Sequence, residues 1–484
     1  MATTRVKLKA PAVGLAPRMI LLALLFLLVS PTHAFFRHLC HGTLGNGRVD
    51  PIMAPGSPSQ HLHVMFGASN MGLDPTLDDL LASNCTSCSI LQDHSVYWSP
   101  LMYFQHANGT FEMVPTEGGL TVYYFTEPSP VDTTPVVAFP QNFRMIAGNS
   151  LKRAFYGPVP DPPSSLWNGS DTTQQALMEK ALGFNCLNYN LPPEGAREYH
   201  YLRNKTFLDA TCADGIRAEV MFPSCWNGVD LDSANHTTHV AYPDQIQNGI
   251  CPEGYPVKIP TLFYETIYQT NLFNGTDGEF TFANGDPTGY GYHGDFLCAW
   301  EEGVLQSAIN DPVCNLPIGA AGNQEDCPIF KVQNPDVGTQ CQMEVPEVLQ
   351  SEQINFVQQL PGNVQVQAGP APATIGPIPG APAPTSTSSP SVANTIMSAP
   401  GGQTPGSTAI MSMSSPAVTP LATPSTSNSQ FTTTTSYMSN GVMVNLILIE
   451  EFVTVTLTDG ASPTNNKHKR HAHNHGRRNG RDRL

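Results

Sequence analysis

The chain has 484 residues and a formal net charge of −16, with 23 Lys and Arg against 39 Asp and Glu. Only one acidic residue, Asp482, lies outside residues 35–466, whereas four basic residues precede that stretch and seven follow it. Such an acidic surface repels polyanions. The composition therefore argues against nucleic acid and acidic polysaccharides as partners and leaves neutral glycans as better candidates.

The first 34 residues have the features of a secretory signal peptide. Basic residues precede an apolar run at 19–29, and Thr32-His33-Ala34 provides small residues at the spacing that signal peptidase requires. The apolar run is too short to span a bilayer comfortably, although an uncleaved anchor is the alternative. We therefore expect a mature chain that begins at Phe35, is secreted to the outside or the cell wall, and has no membrane span.

Cysteines and glycosylation sequons agree with export. All 11 cysteines lie between Cys40 and Cys341, as in disulfide-bonded extracellular proteins, and the odd number leaves one thiol free or paired between chains. Cys85-Thr-Ser-Cys88 resembles half a zinc site, but no second such pair exists, so we interpret these cysteines as disulfide partners. The predicted N-glycosylation sites are Asn84, Asn108, Asn168, Asn204, Asn235 and Asn274.

Residues 35–345 form the predicted globular domain. Short β-prone runs, such as 120–125 and 136–139, are separated by Pro- and Gly-rich turns. Helix signals are few, and they predict short helices at about 75–81, 175–182 and 303–310. Many short strands with few helices indicate a mainly β fold, a single sandwich or jelly-roll-like domain with long loops.

Three further segments follow the predicted domain. Residues 353–449 contain no Asp, Glu, Lys, Arg or His, and Ser, Thr and Pro are abundant there. We therefore predict a disordered stalk at 346–440, because such a composition cannot bury enough apolar surface to fold. A short apolar β-prone segment is expected at 441–458, and a basic, His-rich disordered tail at 459–484.

The histidines are the best candidates for a metal site. In His61-Leu62-His63, alternate positions of a strand would present both imidazoles on one face and Leu62 to the core. Three or more imidazoles with a carboxylate suit Zn, Cu or Mn, so a divalent transition metal is the expected cofactor. The alternative is that these histidines hydrogen-bond loop backbone. The predicted ligands are His61, His63, His293, His236 and His239.

Carboxylates and aromatic residues supply the other candidate site residues. Asp50 and Asp295 are the predicted acid/base pair, and Asp230, Asp232, Glu265 and Asp286 are further candidates for glycoside hydrolysis. Turn formation is the competing interpretation for each Asp. The residues predicted to stack on sugar rings, with burial in the core as the alternative, are Trp98, Trp226, Trp300 and Tyr290.

Several sequence blocks, taken in order, resemble one known family. They lie at 48–52, 59–63, 93–100, 143–148, 222–228 and 285–296. In this order they resemble the fungal secreted proteins grouped as "domain of unknown function 1996". The resemblance implies an extracellular fungal protein with a link to polysaccharide, but no established biochemistry. The sequence departs from the family pattern at Ala299, where Gly usually precedes Trp, and at Asn227, where an acidic residue is frequent.

Two functions remain open from the sequence. The first is an enzyme, hydrolytic or metal-dependent, that acts on neutral cell-wall polysaccharide through the His/Asp site. The second is a non-catalytic wall or adhesion protein in which the same residues brace loops. The chain has no Gly-x-Ser-x-Gly, His-Glu-x-x-His or phosphate-loop motif. A copper histidine brace would need histidine at the mature amino terminus, where Phe35 is expected.

Overall fold

The computed structural model describes residues 34–127, 129, 131–317, 322–374, 430–439 and 442–451. The chain divides into two compact units, residues 1–383 and 384–484. Within the described residues, no helix combines the length and the apolar character that crossing a membrane requires. The predicted signal peptide (apart from Ala34) and the basic tail lie outside the described residues.

Strands outnumber helices, as predicted. The strands are β1 (Ala34–Cys40), β2 (Gly45–Gly47), β3 (His63–Gly67), β4 (Val96–Pro100), β5 (Met102–His106), β6 (Phe111–Met113), β7 (Thr116–Phe125), β8 (Arg144–Gly148), β9 (Leu182–Cys186), β10 (Ile216–Met221), β11 (Cys225–Trp226), β12 (Val240–Ala241), β13 (Val257–Lys258), β14 (Thr261–Tyr268), β15 (Gly278–Phe282), β16 (His293–Leu297), β17 (Leu316–Pro317), β18 (Gln430–Ser439) and β19 (Val442–Glu451). The α-helices are α1 (Leu77–Leu81), α2 (Gln174–Lys180), α3 (Lys205–Thr211), α4 (Val304–Asn310) and α5 (Pro335–Gln340).

Two antiparallel sheets form the framework of the first unit. The six-stranded sheet has the order β17-β1-β7-β14-β10-β9, and the five-stranded sheet has the order β2-β3-β4-β16-β8. Two three-stranded sheets, β12-β11-β13 and β15-β5-β6, complete the unit. The expectation of a mainly β protein with antiparallel sheets and few helices is confirmed.

The two large sheets share one hydrophobic core. Tyr97 of β4 and Tyr264 of β14 are fully buried and meet edge to face, with ring centroids 5.8 Å apart. Phe222, which follows β10, contacts the same Tyr264 ring at 4.5 Å. Gly294 of β16 lies so close to Phe222 that a Cβ there would come within 2.8 Å of its ring. The sheets therefore pack face to face through large aromatic side chains.

The helices are short and are defined by their caps. All three predicted helices are present, although α2 is capped by Thr173 rather than by Asp171, and β9 already begins at Leu182. The helices α3 and α5 were not predicted. Their caps are Asn204 and Asn334, whose side chains accept backbone N–H groups. Residues 136–139, predicted as a strand, form only an isolated bridge from Val136 to Lys258.

Five disulfides staple this unit, and the prediction of disulfide bonding is confirmed. Cys85 and Cys88 belong to two different bonds rather than to a zinc site. The pairs are Cys40–Cys88, Cys85–Cys341, Cys186–Cys212, Cys225–Cys251 and Cys314–Cys327. The remaining cysteine, Cys298, is a free thiol buried in the core.

The folded part continues beyond residue 345, which corrects the expected boundary. The Arg48 guanidinium donates to the Glu352 carboxylate at 2.7 Å, Val357 and Phe111 exchange two backbone hydrogen bonds, and Leu360 is 1% exposed. Residues 346–374 thus form a strap along the domain, because their apolar and backbone groups and the Glu352 carboxylate find partners there. In the second unit, β18 and β19 pair as an antiparallel hairpin, so 430–439, predicted as stalk, is a strand.

Candidate metal centre

The register of the five-stranded sheet places His63 and His293 at one level. His63 opens β3 opposite Pro100 of the central strand β4, and Asp295 of β16 lies opposite Trp98 on the other side of β4. Counting back two residues from Asp295 puts His293 level with Pro100 as well. Residues at the same level of a sheet project from the same face, so both imidazoles point toward one place.

His61 completes a cluster of three imidazoles. His61 precedes β3 rather than lying in it. The two histidines therefore do not occupy the predicted alternate positions of one strand, because the chain bends at His61 before the strand begins. The His61 ring lies 4.4 Å from the His63 ring and 5.1 Å from the His293 ring, between centroids. One nitrogen from each of the three rings lies within 4.8 Å of the others, and His61 Nε2 is 3.1 Å from His293 Nε2. Leu62 is buried, as predicted.

Backbone carbonyls fix the tautomers of two of these rings. His63 Nδ1 lies 3.1 Å from the Val49 carbonyl oxygen, and His293 Nδ1 lies 2.9 Å from the Gly291 carbonyl oxygen. A carbonyl only accepts, so each Nδ1 carries the proton and each Nε2 keeps its lone pair. This is the arrangement of metal-ligating histidines, which donate their other N–H to an acceptor.

Burial keeps the cluster neutral. His63 and His293 are buried, whereas the His61 residue is partly exposed although its ring nitrogens face the buried groups. Burial lowers the pKa of His293 to about 4 and holds the pKa values of His61 and His63 well below the usual range, and the neighbouring imidazoles lower those two further. Neutral imidazole is the form that binds metal.

Asp295 and Asp50 bring carboxyl groups to the cluster. Asp295 Oδ2 lies 4.0 Å from His293 Nε2, and among the described residues neither oxygen of Asp295 has a hydrogen-bond partner. Burial, and then the charge of Asp50, raises the pKa of Asp295 well above its usual value. Asp50 follows Val49 directly, is itself buried, and accepts the N–H groups of Ile52 and Met53. The two predicted acid/base residues therefore lie in one buried electrostatic environment.

The other two predicted ligands have different surroundings. Both ring nitrogens of His239 are engaged, Nδ1 with Ser233 Oγ at 3.0 Å and Nε2 with the Arg144 carbonyl at 2.7 Å, which leaves none for a metal. His236 Nδ1 lies 2.8 Å from Asp232 Oδ1. Burial raises the pKa of Asp50 overall, and a positive charge on His236 would lower it. His236 is thus a neighbour of the carboxyl groups, and His239 braces a loop.

Burial also decides among the predicted stacking aromatics. Trp98 is 0% exposed and Trp300 is 2% exposed, so both rings lie in the core and neither presents its face to solvent. Trp226 and Tyr290 are partly exposed. Trp226 donates its indole N–H to the Asp230 carbonyl at 2.7 Å, which fixes its ring, and both residues remain candidate platforms.

The remaining candidate carboxylates serve turns and ion pairs. Asp286 accepts the N–H and hydroxyl of Thr288 and the N–H of Gly291, and it faces the buried Arg153 guanidinium at 3.6 Å. Glu265 accepts the Tyr123 hydroxyl and lies 3.4 Å from Arg217. Asp230 and Asp232 lie in the loop of His236.

Sequence reasoning missed the groups that support the ligands. The carbonyls of Val49 and Gly291 orient two rings, but a backbone carbonyl leaves no signature in a sequence. Arg153 was also missed. It donates to the carbonyls of Ser150, Lys152, Asn284 and Gln367, and its charge disfavours protonation of His61 and His293.

A second group of potential ligands, His38, Cys40 and Cys88, is closed to metal because the two cysteines are bonded to each other. His38 Nε2 instead lies 3.1 Å from the Asp93 carboxylate. The Tyr97 hydroxyl donates to the same carboxylate, which makes this a buried structural network.

Comparison with known proteins identifies a family but no characterised relative. The family model described as "Domain of unknown function (DUF1996)" matches residues 50–300, just over half of the chain. This range contains His61, His63, His293 and both carboxyl groups. No curated protein and no solved structure matches the chain.

Proposed function

The chain belongs to the DUF1996 family, and we propose that its domain binds a divalent transition-metal ion through the Nε2 atoms of His61, His63 and His293. A three-imidazole set suits zinc and copper, and a nearby carboxylate also permits manganese. The observation that carries this proposal is the pair of carbonyls, Val49 and Gly291, that engage Nδ1 of His63 and His293 and leave both Nε2 atoms as potential ligands, in a cluster where one nitrogen of each ring lies within 4.8 Å of the others.

Asp295 gives the proposal its second support. A buried carboxyl group without a hydrogen-bond partner costs stability unless a cation balances it. Asp295 lies beside His293, so an ion held by the three imidazoles would meet this carboxylate directly or through water. The ion itself would supply Lewis acidity, and Asp295 and Asp50 would hold or release protons beside it.

We further propose that the domain is secreted and acts on, or attaches to, neutral cell-wall polysaccharide. The acidic composition, which disfavours polyanionic partners, and the five disulfides support this assignment. All six sequon asparagines are exposed and open to glycosylation. The alternative is a non-catalytic wall or adhesion protein with a structural metal, and the burial of His63 and His293 favours it.

Elemental analysis of the purified secreted protein tests the metal site. We expect about one equivalent of transition metal, removable by chelator and restored by zinc or copper, and an Asp295→Asn variant with weaker binding. As a control, a variant that loses a histidine outside the cluster, His106→Ala, should retain the metal, because His106 pairs with Glu112 instead. Wild-type protein that neither contains nor takes up metal would refute the proposal. Assays on insoluble glucans, chitin and mannans, with and without chelator, then separate catalysis from attachment.

A further inference from the structure

A groove of about 850 Å³ is bordered by three segments of the first unit, residues 201–210, 275–280 and 287–290. The last segment leads directly into Gly291 and His293, so the groove and the histidine cluster share one loop. Leu202 donates its N–H to the Thr288 carbonyl at 2.8 Å and joins the first border to the third. None of the cluster histidines lines the groove.

Two tyrosines give the groove an aromatic platform. Tyr201 and Tyr290 are both partly exposed, and their ring centroids lie 6.4 Å apart at an angle of 49°. Phe155 stacks on Tyr290 at 6.2 Å and 19°, which holds that ring in place from one side. An aromatic ring with a polar hydroxyl at its tip suits a ligand that has both C–H faces and hydroxyl groups.

Charge along the groove narrows the ligand class. The two basic residues are already paired: Arg203 with Glu194, and Lys205 with Asp209. Two exposed carboxylates, Asp277 and Glu279, have no ion pair among the described residues. Carboxylates accept hydrogen bonds from hydroxyl groups and repel phosphate, sulfate and uronate. The lining therefore fits an uncharged polyhydroxylated ligand.

We propose that this groove binds a neutral saccharide chain, stacked on Tyr290 and Tyr201 and hydrogen-bonded to Asp277 and Glu279. This inference rests on the polysaccharide part of the proposed function and not on the metal. The saccharide has two sources. One is a separate polysaccharide, and the other is the chain's own N-glycan, because the sequons Asn204-Lys205-Thr206 and Asn274-Gly275-Thr276 border the groove.

The test titrates the secreted protein with cellohexaose, laminarihexaose, mannohexaose and chitohexaose by calorimetry, before and after endoglycosidase trimming to the first sugar. At least one hexaose should bind, and Tyr290→Ala should weaken that binding about tenfold, as loss of one aromatic anchor does. Tyr290→Phe should keep it, because the ring remains. Tyr189→Ala is the matched control, since Tyr189 is an exposed tyrosine outside the groove.

The two sources give different results. For a separate polysaccharide, the hexaose binds untrimmed protein. For the chain's own glycan, the hexaose binds only after trimming, and trimming lowers the melting temperature of wild type but not of Tyr290→Ala. Absence of both effects, or equal affinities for Tyr290→Ala and Tyr189→Ala, would overturn the proposal. Chelator should leave hexaose affinity unchanged, so failure of the metal site and failure of the groove are observed separately.

Discussion

Replacement of His61 by alanine should separate metal binding from folding. His61 lies before β3, and its Nε2 lies 3.1 Å from His293 Nε2; among the described residues, no backbone group pairs with the His61 ring. The metal-free variant should therefore lose less unfolding free energy than His63→Ala, about 1 kcal/mol or less. His63→Ala should cost more, about 1–3 kcal/mol, because it leaves the buried Val49 carbonyl without its donor.

Addition of metal should stabilise wild type much more than His61→Ala. At a free metal concentration about 100 times the Kd, wild type should gain about 2.7 kcal/mol from binding. If loss of one ligand weakens binding about 100-fold, His61→Ala should gain only about 0.4 kcal/mol under the same conditions. Urea titrations with chelator and with zinc, on wild type, His61→Ala and His106→Ala, measure both quantities. Equal stabilisation of His61→Ala and wild type by zinc would refute the three-histidine site.

Three further predictions follow from the fold. A protein spanning 35–345 should be less stable in urea titration than one spanning 35–374. The expected loss is at least about 1.5–3 kcal/mol, because burial of the Leu360 side chain by itself contributes that much. Equal stability would show that the strap is dispensable. Burial favours a raised pKa for Asp93, but its bonds to His38, Ser95 and Tyr97 and the charge of His38 lower it overall. The ionised Asp93 therefore stabilises the fold above about pH 4, the pKa of Asp in the unfolded chain. This contribution is lost as the pH falls through the lower pKa of Asp93 in the folded chain. The difference in unfolding free energy between wild type and Asp93→Asn should therefore narrow below about pH 4. Burial raises the pKa of Cys298 to about 12, so iodoacetamide should label it only after denaturation, as mass spectrometry would detect.

The sequence was informative wherever local pattern decides the structure. Turn residues and alternating apolar runs predicted a mainly β fold, and cysteine usage predicted the disulfides. The His61-Leu62-His63 pattern correctly indicated that Leu62 is buried. The position of His293 beside His61 and His63 depends on the register of β16 against β4. Such a long-range strand pairing cannot be predicted from a single sequence. The burial of Trp98 and Trp300 likewise depends on how the sheets pack.

The strap shows a second limit of composition. Residues 346–374 carry only two charged residues, Glu347 and Glu352, and show no periodicity of apolar residues, yet Leu360 is buried and the Gln367 carbonyl accepts from Arg153. A segment of this kind folds because the domain offers it partners, and composition reports only what a segment can bury by itself. The boundary of a folded unit is therefore set by the surface that receives the chain.

Comparison of the buried polar groups supports the proposed metal site. Asp286 accepts from Thr288 and Gly291 and faces Arg153, and Asp93 is held by Ser95, Tyr97 and His38. Both carboxylates are satisfied within the protein, as buried polar groups in a structural network should be. Asp295 has no such partner among the described residues, and its Oδ2 lies 4.0 Å from His293 Nε2, in a cluster of three imidazoles whose nitrogens lie within 4.8 Å of one another.

A purely structural role would leave that difference unexplained. Replacing buried polar groups and their partners by apolar side chains of similar shape is often nearly neutral for stability or stabilising. Three neutral imidazoles beside an unpartnered carboxyl group are therefore a poor way to fill a core, but they are the donor set of a metal ion.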